Sequence, residues 1–371
     1  MDSSLSHYHS YLIYSIVCLL LCISSCKSDD AHSTDPTVES TVIKGRTMGT
    51  TYRIVYTDSV AKILKTSVDS LLVDINQSVS TYIPQSTISK INNDSLSERS
   101  TAIENGRYID YLKYTCKIDS HFLQNYIAST NLHRITEGHF DPTVMPLVNY
   151  WGFGYTPKEP VTEVDSARIE SIMSSVGLDK WSDQIDAEYM SYVKPNGAKL
   201  DFSAIAKGYA VDEVSALIEL YGIKNYIVEI GGEIFCRGHK AKGKPWTIAL
   251  SKPEIEANIN EVQMAVQLNG VGLASSGNYR NYHKVNDKIY GHEINPMTGF
   301  PEMNKLLGVS VISPNCMLAD AYATAFMVMG LDKSIERVEK LPETEAVFFY
   351  ASENNIVSAS SSGFGKYLKT P

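Results

Sequence analysis

Asp320 and Thr324 stand four positions apart in a segment whose apolar residues, Leu318, Tyr322, Ala325, Phe326 and Met329, predict a helix that Gly330 ends. On a helix, that spacing aims both side-chain oxygens the same way. A carboxylate with a hydroxyl is a poor zinc site. It suits Mg²⁺, which takes hard oxygen ligands and keeps waters for a phosphate. The same two residues also fit a solvated Asp and a Thr bonded to its own helix backbone. Asp201 opens another predicted helix, with Lys207 six residues on and Ser203, Ala204 and Ala206 between them. Small side chains admit close approach, and a carbonyl exposed at such a turn can ligate a hard cation; equally, Asp201 can be a helix N-cap and Lys207 a surface charge. His292 follows Gly291 and precedes the turn Asn295-Pro296-Met297-Thr298-Gly299. A histidine on a loop can serve as a general base or as a donor to a phosphate, although most loop histidines do neither.

The elements that must carry these residues are mixed. Apolar residues spaced by three and four predict helices within 60–80, 100–132 (with a break at Gly106) and 206–221, where Gly222 stops the last. Strands are predicted at 52–56, 226–230, 246–250, 262–268, 308–312, 346–350 and 355–359. Strands come in runs with helices grouped between them. The expected class is therefore α+β, with largely antiparallel sheets and grouped helices in one body or two lobes. Met48-Gly49 is a glycine turn before a strand, and Gly231-Gly232 follows another, where a ligand could approach the backbone.

The chain of 371 residues has 43% apolar and 20% charged residues, a foldable composition. Its formal charge of −9 and lack of any basic run argue against nucleic acid as a partner. No phosphate-binding P-loop, dinucleotide-binding glycine motif, H-E-x-x-H or G-x-S-x-G occurs. The six cysteines, at 18, 22, 26, 116, 236 and 316, form no C-x-x-C pair. Residues 11–23 are nearly all apolar yet too few to span a bilayer, and read as the core of a signal peptide. Ile23-Ser24-Ser25-Cys26 resembles a bacterial lipobox, although no Lys or Arg precedes it. The expected organisation is a lipoprotein signal over 1–25, a lipidated Cys26 with a polar tether over 26–40, and a catalytic domain over 41–371. Cys116, Cys236 and Cys316 would then remain as buried free thiols.

Taken in order, several blocks resemble the ApbE family of FAD:protein FMN transferases. They are M-G-T at 48–50, S-T-Y at 80–82, F-D-P-T-V-x-P-L-V-N-x-W-G-F-G at 140–154 and D-F-x-x-I-A-K-G-Y-A-V-D at 201–212. G-G-E at 231–233, A-S-S-G-N-Y at 274–279, H-x-I-N-P-x-T-G at 292–299 and A-D-A-x-A-T-A at 319–325 complete the set. The resemblance implies Mg²⁺-dependent transfer of the FMN half of FAD to a Ser or Thr hydroxyl of a target protein, with release of AMP. It implies that Asp320, Thr324 and the Ala204 carbonyl bind the metal. Met48, Tyr82, His139, Phe140, Asp141, Asp201, Lys207 and His292 would line the FAD site, with His292 the candidate for catalysis. Family members that are lipoproteins sit outside the bacterial inner membrane, so the expected location is a lipid-anchored one facing the periplasm or cell exterior. The expected acceptor is a subunit of a membrane redox complex. The rival readings are a hydrolase giving FMN and AMP, and a non-catalytic FAD-binding lipoprotein. Two positions depart from the family pattern: Ala323, where some relatives carry a second carboxylate, and Asn295, where Asp is common.

Overall fold

The computed structural model describes residues 40–369, except 58–61, 95–96, 105–106, 155–160, 162, 187, 252, 254–261, 278–281, 286–287 and 353–354. The predicted signal peptide, Cys26 and the tether up to residue 39 lie outside the described residues. Among the described residues no helix is long and apolar enough to cross a membrane.

Strands β1 (Thr41–Thr47) and β2 (Thr50–Tyr56) form a hairpin. Its two turn residues, Met48 and Gly49, both have positive φ, 48° and 72°. That is the turn whose twist matches the flanking strands; glycine adopts it freely, whereas Met48 is held in it. Helix α1 (Lys65–Val79) buries Val68, Leu72, Ile75 and Val79 at helical spacing, and α2 (Thr87–Asn92) follows. The hairpin β3 (Ser97–Glu104) and β4 (Arg107–Lys117) leads into helices α3 (Ser120–Ile135), α4 (Met145–Tyr150) and α5 (Ser166–Met173). Then come β5 (Ser182–Asp186), β6 (Tyr189–Val193), α6 (Ala206–Leu220), β7 (Tyr226–Ile230) and β8 (Glu233–Arg237). Five more strands follow: β9 (Trp246–Ser251), β10 (Val262–Leu268), β11 (Val271–Gly277), β12 (Tyr282–Val285) and β13 (Lys288–Gly291). The chain closes with β14 (Leu306–Ser313), α7 (Cys316–Met329), α8 (Leu331–Val338), β15 (Glu345–Ser352) and β16 (Asn355–Ser360).

Eight strands make one antiparallel sheet in the order β1-β2-β7-β8-β11-β14-β15-β16. A four-stranded sheet, β3-β4-β6-β5, and the pairs β9-β10 and β12-β13 are antiparallel as well. The α+β class with antiparallel sheets is the observed one, and residues 38–371 form one compact unit. Both faces of the large sheet are covered. Neighbouring residues of a strand point to opposite faces, so Ile54 packs with Val214, Ile218 and Phe326 of the helices, while Val55 packs with Trp246, Leu250 and Val266 of β9-β10. A third apolar cluster, built on Leu147, Trp151, Ile169, Val176, Tyr290 and Ile294, supports the loop that carries His292.

Two expectations are corrected. Residues 97–117 form a hairpin rather than the first part of a helix. The connection 105–106 has the sequence Asn-Gly, a strong hairpin signal, and cross-strand pairing outweighs the helical spacing. Helix α7 forms over the predicted residues and ends at Gly330, as expected, but it is buried nearly all round. Ala319, Asp320, Ala321, Tyr322, Ala323, Ala325, Phe326, Met327 and Val328 are all buried, because α7 packs between the sheet and α6. Asp201 does not open a helix. It lies in a loop, and its Oδ1 accepts from the Ser203 N–H at 2.8 Å and the Ser203 hydroxyl at 2.5 Å, while α6 begins only at Ala206. The three described cysteines, Cys116, Cys236 and Cys316, are free and buried, as expected.

Candidate active site

Where α6 and α7 cross beneath the loop at His292, a cavity of about 450 Å³ opens. Tyr82, His139, Phe140, Asp141, Asp201, Ala204, Lys207, His292, Asp320 and Thr324 all line it. Every site residue predicted from the sequence is therefore brought together except Met48. That residue lines an adjoining cavity of about 620 Å³, which shares Thr81, Tyr82, Ser203 and Lys207 with the first. The cleft is thus double, with the exposed Tyr82 on the common wall.

Each wall is set by local chemistry. Asn315 caps α7 by accepting from the Leu318 N–H at 2.9 Å, and Gly330, with φ 77°, ends the helix. On α7, Asp320 accepts the Gly208 N–H at 2.9 Å through Oδ2, and Thr324 Oγ1 lies 3.3 Å from Ser276 Oγ on β11. The Lys207 ammonium donates to Glu233 Oε1 at 2.7 Å and lies 3.6 Å from Asp320 Oδ1. Burial alone would pull the Lys207 ammonium down, but the Asp320 and Glu233 carboxylates outweigh it and hold its pKa above the ordinary value. Glu233 is pushed up by burial and by Asp320, against Lys207. Its second oxygen, Oε2, is buried with no hydrogen-bond partner among the described residues.

On the opposite wall, the His139 Nδ1–H donates to the Thr136 carbonyl at 2.7 Å. The Asp141 carboxylate is occupied by the Thr143 N–H and hydroxyl and by the Leu178 N–H, so it braces the loop that presents His139 and Phe140. Asp201 is raised by burial, against its Ser203 hydrogen bonds. Tyr82, although its side chain is exposed overall, is raised by partial desolvation of its hydroxyl and by Asp201.

The His292 loop is braced by hydrogen bonds and ring contacts. Asn295 Oδ1 accepts from the Met297 N–H at 2.9 Å, as an Asp would, and its amide donates to Glu302 at 3.0 Å, which an Asp could not. Trp151 stacks on Tyr290 at 5.1 Å and donates to the Gly299 carbonyl at 2.9 Å, and the Phe153 ring meets His292 edge-on at 6.2 Å. This joins the block at 140–154 to the loop it supports. Glu293 Oε1 lies 3.3 Å from His292 Nε2, and burial raises the Glu293 carboxyl against the pull of His292 and Lys207.

Sequence reasoning did not single out Glu233 or Glu293 as site residues. The signals were present: Glu233 follows the Gly231-Gly232 turn and Glu293 is the neighbour of His292. Ala323 is fully buried and offers no second carboxylate. Among the described residues no three His, Cys, Asp or Glu side chains gather as a metal site. A cation here would therefore draw on hydroxyl and carbonyl oxygens beside the acids.

Residues 48–348, from the Met48 turn to Phe348 in β15, match the ApbE family. The chain belongs to that family. Among curated ApbE relatives, the FAD:protein FMN transferase of Haemophilus influenzae is 36% identical over 336 residues, covering 88% of this chain and 91% of the relative. That of Vibrio cholerae is 33% identical over 334 residues, covering 89% and 93%. Among solved structures, the flavin transferase ApbE from Vibrio cholerae aligns with a TM-score of 0.75 at 32% identity, covering 89% of this chain and 99% of that one. The apo form of the Pseudomonas stutzeri flavinyl transferase ApbE gives 0.75 at 30% identity, covering 90% and 98%. The matched span includes every residue that lines the two cavities.

Proposed function

We propose that this chain transfers the FMN half of FAD, with Mg²⁺, to a Ser or Thr hydroxyl of a target protein and releases AMP. The observation that carries the reading is the convergence of Asp320, Thr324, Ala204, Lys207 and His292 on one cavity in a member of the ApbE family. The donor set fits a hard cation. Asp320, Thr324 and the Ala204 carbonyl offer only oxygens, and two carboxyl groups, Glu233 and Asp320, lie within 4 Å of the one Lys207 ammonium. Bound there, Mg²⁺ would offset the pyrophosphate charge and stabilise the charge developing at phosphorus.

The chain's own residues supply the rest. Lys207, held protonated by its two carboxylates, lies where a pyrophosphate needs a cation. Tyr82 and Phe140 offer aromatic surface for the ring systems of FAD. The acceptor hydroxyl oxygen forms a bond to the FMN phosphorus as the bond from that phosphorus to the AMP phosphate oxygen breaks. The hydroxyl proton passes to the His292 imidazole, whose Nε2 lies 3.3 Å from Glu293 Oε1. The acceptor is a subunit of a membrane redox complex, and the enzyme reaches it from a lipid anchor at Cys26, facing the periplasm or cell exterior.

The test is incubation of the purified protein with FAD and Mg²⁺, with and without an acceptor carrying a Ser/Thr flavinylation site, read by in-gel flavin fluorescence and by free FMN. Covalent flavin on the acceptor supports transfer. FMN and AMP formed without the acceptor make the chain a hydrolase, and neither product makes it a flavin-binding protein. For the anchor, Cys26→Ala should move the protein from the membrane fraction to the soluble one; a variant still membrane-bound refutes lipidation.

A further inference from the structure

Asp212 does not line the cavity, yet it ties together the two helices that build it. Helix α7 begins with Cys316, Met317 and Leu318, whose N–H groups have no partner inside the helix. Asn315 serves one of them, the Leu318 N–H, at 2.9 Å through its side chain, while its carbonyl accepts the first helical bond, from Ala319, at 3.3 Å. The other two are served from α6. Asp212 Oδ1 accepts from Cys316 and Oδ2 from Met317, both at 2.8 Å. The exchange runs in the other direction too. Helix α6 has no side-chain cap of its own at Ile205, and its Gly208 N–H donates to Asp320 Oδ2. Each helix therefore caps the start of the other with one carboxylate.

The crossing has no slack. A Cβ at Gly208 would lie 2.3 Å from the Cys316 carbonyl oxygen, and one at Gly272 on β11 would lie 2.4 Å from the Cys316 nitrogen. The first turn of α7 is pinned from both sides, and the Asp212 carboxylate sets its register along α6. The donors proposed for the cation are all referenced to this crossing. Ala204 lies just before α6, and Asp320 and Thr324 lie on the turns of α7 that follow the pinned one.

We infer that Asp212 is a positioning residue: by fixing α7 against α6 it sets the separation between the Ala204 carbonyl and the Asp320–Thr324 pair, and so the affinity for the divalent cation. The inference rests on the metal reading above. Outer groups that orient ligands change metal affinity by about 10–100-fold when removed.

The experiment is titration of the purified full-length protein, without FAD, with Mn²⁺ as a spin-active stand-in for Mg²⁺, following free Mn²⁺ by electron paramagnetic resonance and unfolding by thermal melts. Asp212→Asn, which puts an amide N–H₂ against a backbone N–H, should weaken Mn²⁺ binding about tenfold or more. Val347→Ala, in the core on the sheet face away from the helices, should lower the melting temperature yet bind Mn²⁺ as the wild type does. If Asp212→Asn does not fold, Asp212→Glu, with the same charge on a longer arm, should give the same loss of affinity. Binding by the Asp212 variant within twofold of wild type overturns the inference, as does an equal loss in Val347→Ala. Failure of the wild type itself to bind Mn²⁺ overturns the metal reading, and the inference falls with it.

Discussion

Gly208→Ala separates helix propensity from site geometry, because the two predict opposite outcomes. Position 208 lies in the first turn of α6, where alanine is intrinsically better than glycine by about 1 kcal/mol. The added Cβ, however, would sit 2.3 Å from the Cys316 carbonyl oxygen, 2.7 Å from its carbon and 2.8 Å from Asp320 Cβ. Non-bonded heavy atoms settle near 3.5 Å, so α7 must retreat by about 1 Å. The 2.9 Å bond from the Gly208 N–H to Asp320 then stretches beyond hydrogen-bond range. Overpacking costs about 1–3 kcal/mol and a lost bond to a carboxylate about 1.5–3, so the net loss after the propensity gain is about 2–5 kcal/mol. A displacement of about 1 Å at catalytic ligands is worth about 100-fold in rate. The assay is covalent flavin formation at saturating FAD and Mg²⁺, alongside a thermal melt. A variant that melts at or above the wild-type temperature and transfers flavin at the wild-type rate would show that the close approach of α6 and α7 is not what holds Asp320 in place.

His292→Ala should slow flavin transfer by about 10²–10⁴-fold while FAD still binds, as expected for lost acid–base help; an unchanged rate in a stopped assay would take the proton-transfer role away from His292. Asp320→Ala should abolish both transfer and its dependence on added Mg²⁺, and chelation of the wild type should do the same; retained full activity removes Asp320 from the metal site. Asp119 caps α3 and also accepts the Ser78 and Thr87 hydroxyls. Burial pushes its carboxyl up, but these hydrogen bonds outweigh it and hold it below the usual range. A depressed folded-state pKa gives stability that is present above the unfolded value of about 3.9 and is lost as pH falls through the folded one. Asp119→Asn keeps a cap but sets an amide N–H₂ beside one of the two hydroxyls, so it should cost about 1 kcal/mol at pH 7, and the gap from wild type in urea midpoint should shrink at pH 3. A gap that stays constant would mean the charge contributes nothing.

The site was legible where local spacing decides it. Asp320 and Thr324 read as one helical face, and Gly222 and Gly330 as helix stops, from neighbouring residues alone. The blocks at 140–154 and 201–212 were visible as blocks, but their meeting was not. Trp151 reaches the Gly299 carbonyl across 148 positions, and Gly208 reaches Asp320 across 112. Covering of the large sheet on both faces blurred the alternation that marks a strand: in β14 all eight residues except Leu307 are buried. Glu233 and Glu293 escaped notice because a lone acid after a turn looks solvated until tertiary packing surrounds it. The helical spacing across residues 100–117 misled because cross-strand partners are not encoded nearby.

Reciprocal capping also bears on the order of synthesis. A chain that has emerged only as far as Gly299 already holds Asp201, Lys207 and His292, but it lacks the carboxylate that caps α6 and the helix that Asp212 caps. Strand β11 likewise waits for β14 before it is paired on both sides. Under the proposed function, a nascent chain therefore cannot consume FAD during its own translation. Truncations that stop short of α7 should be silent rather than partly active, since the last long helix completes the crossing and the metal site in one step.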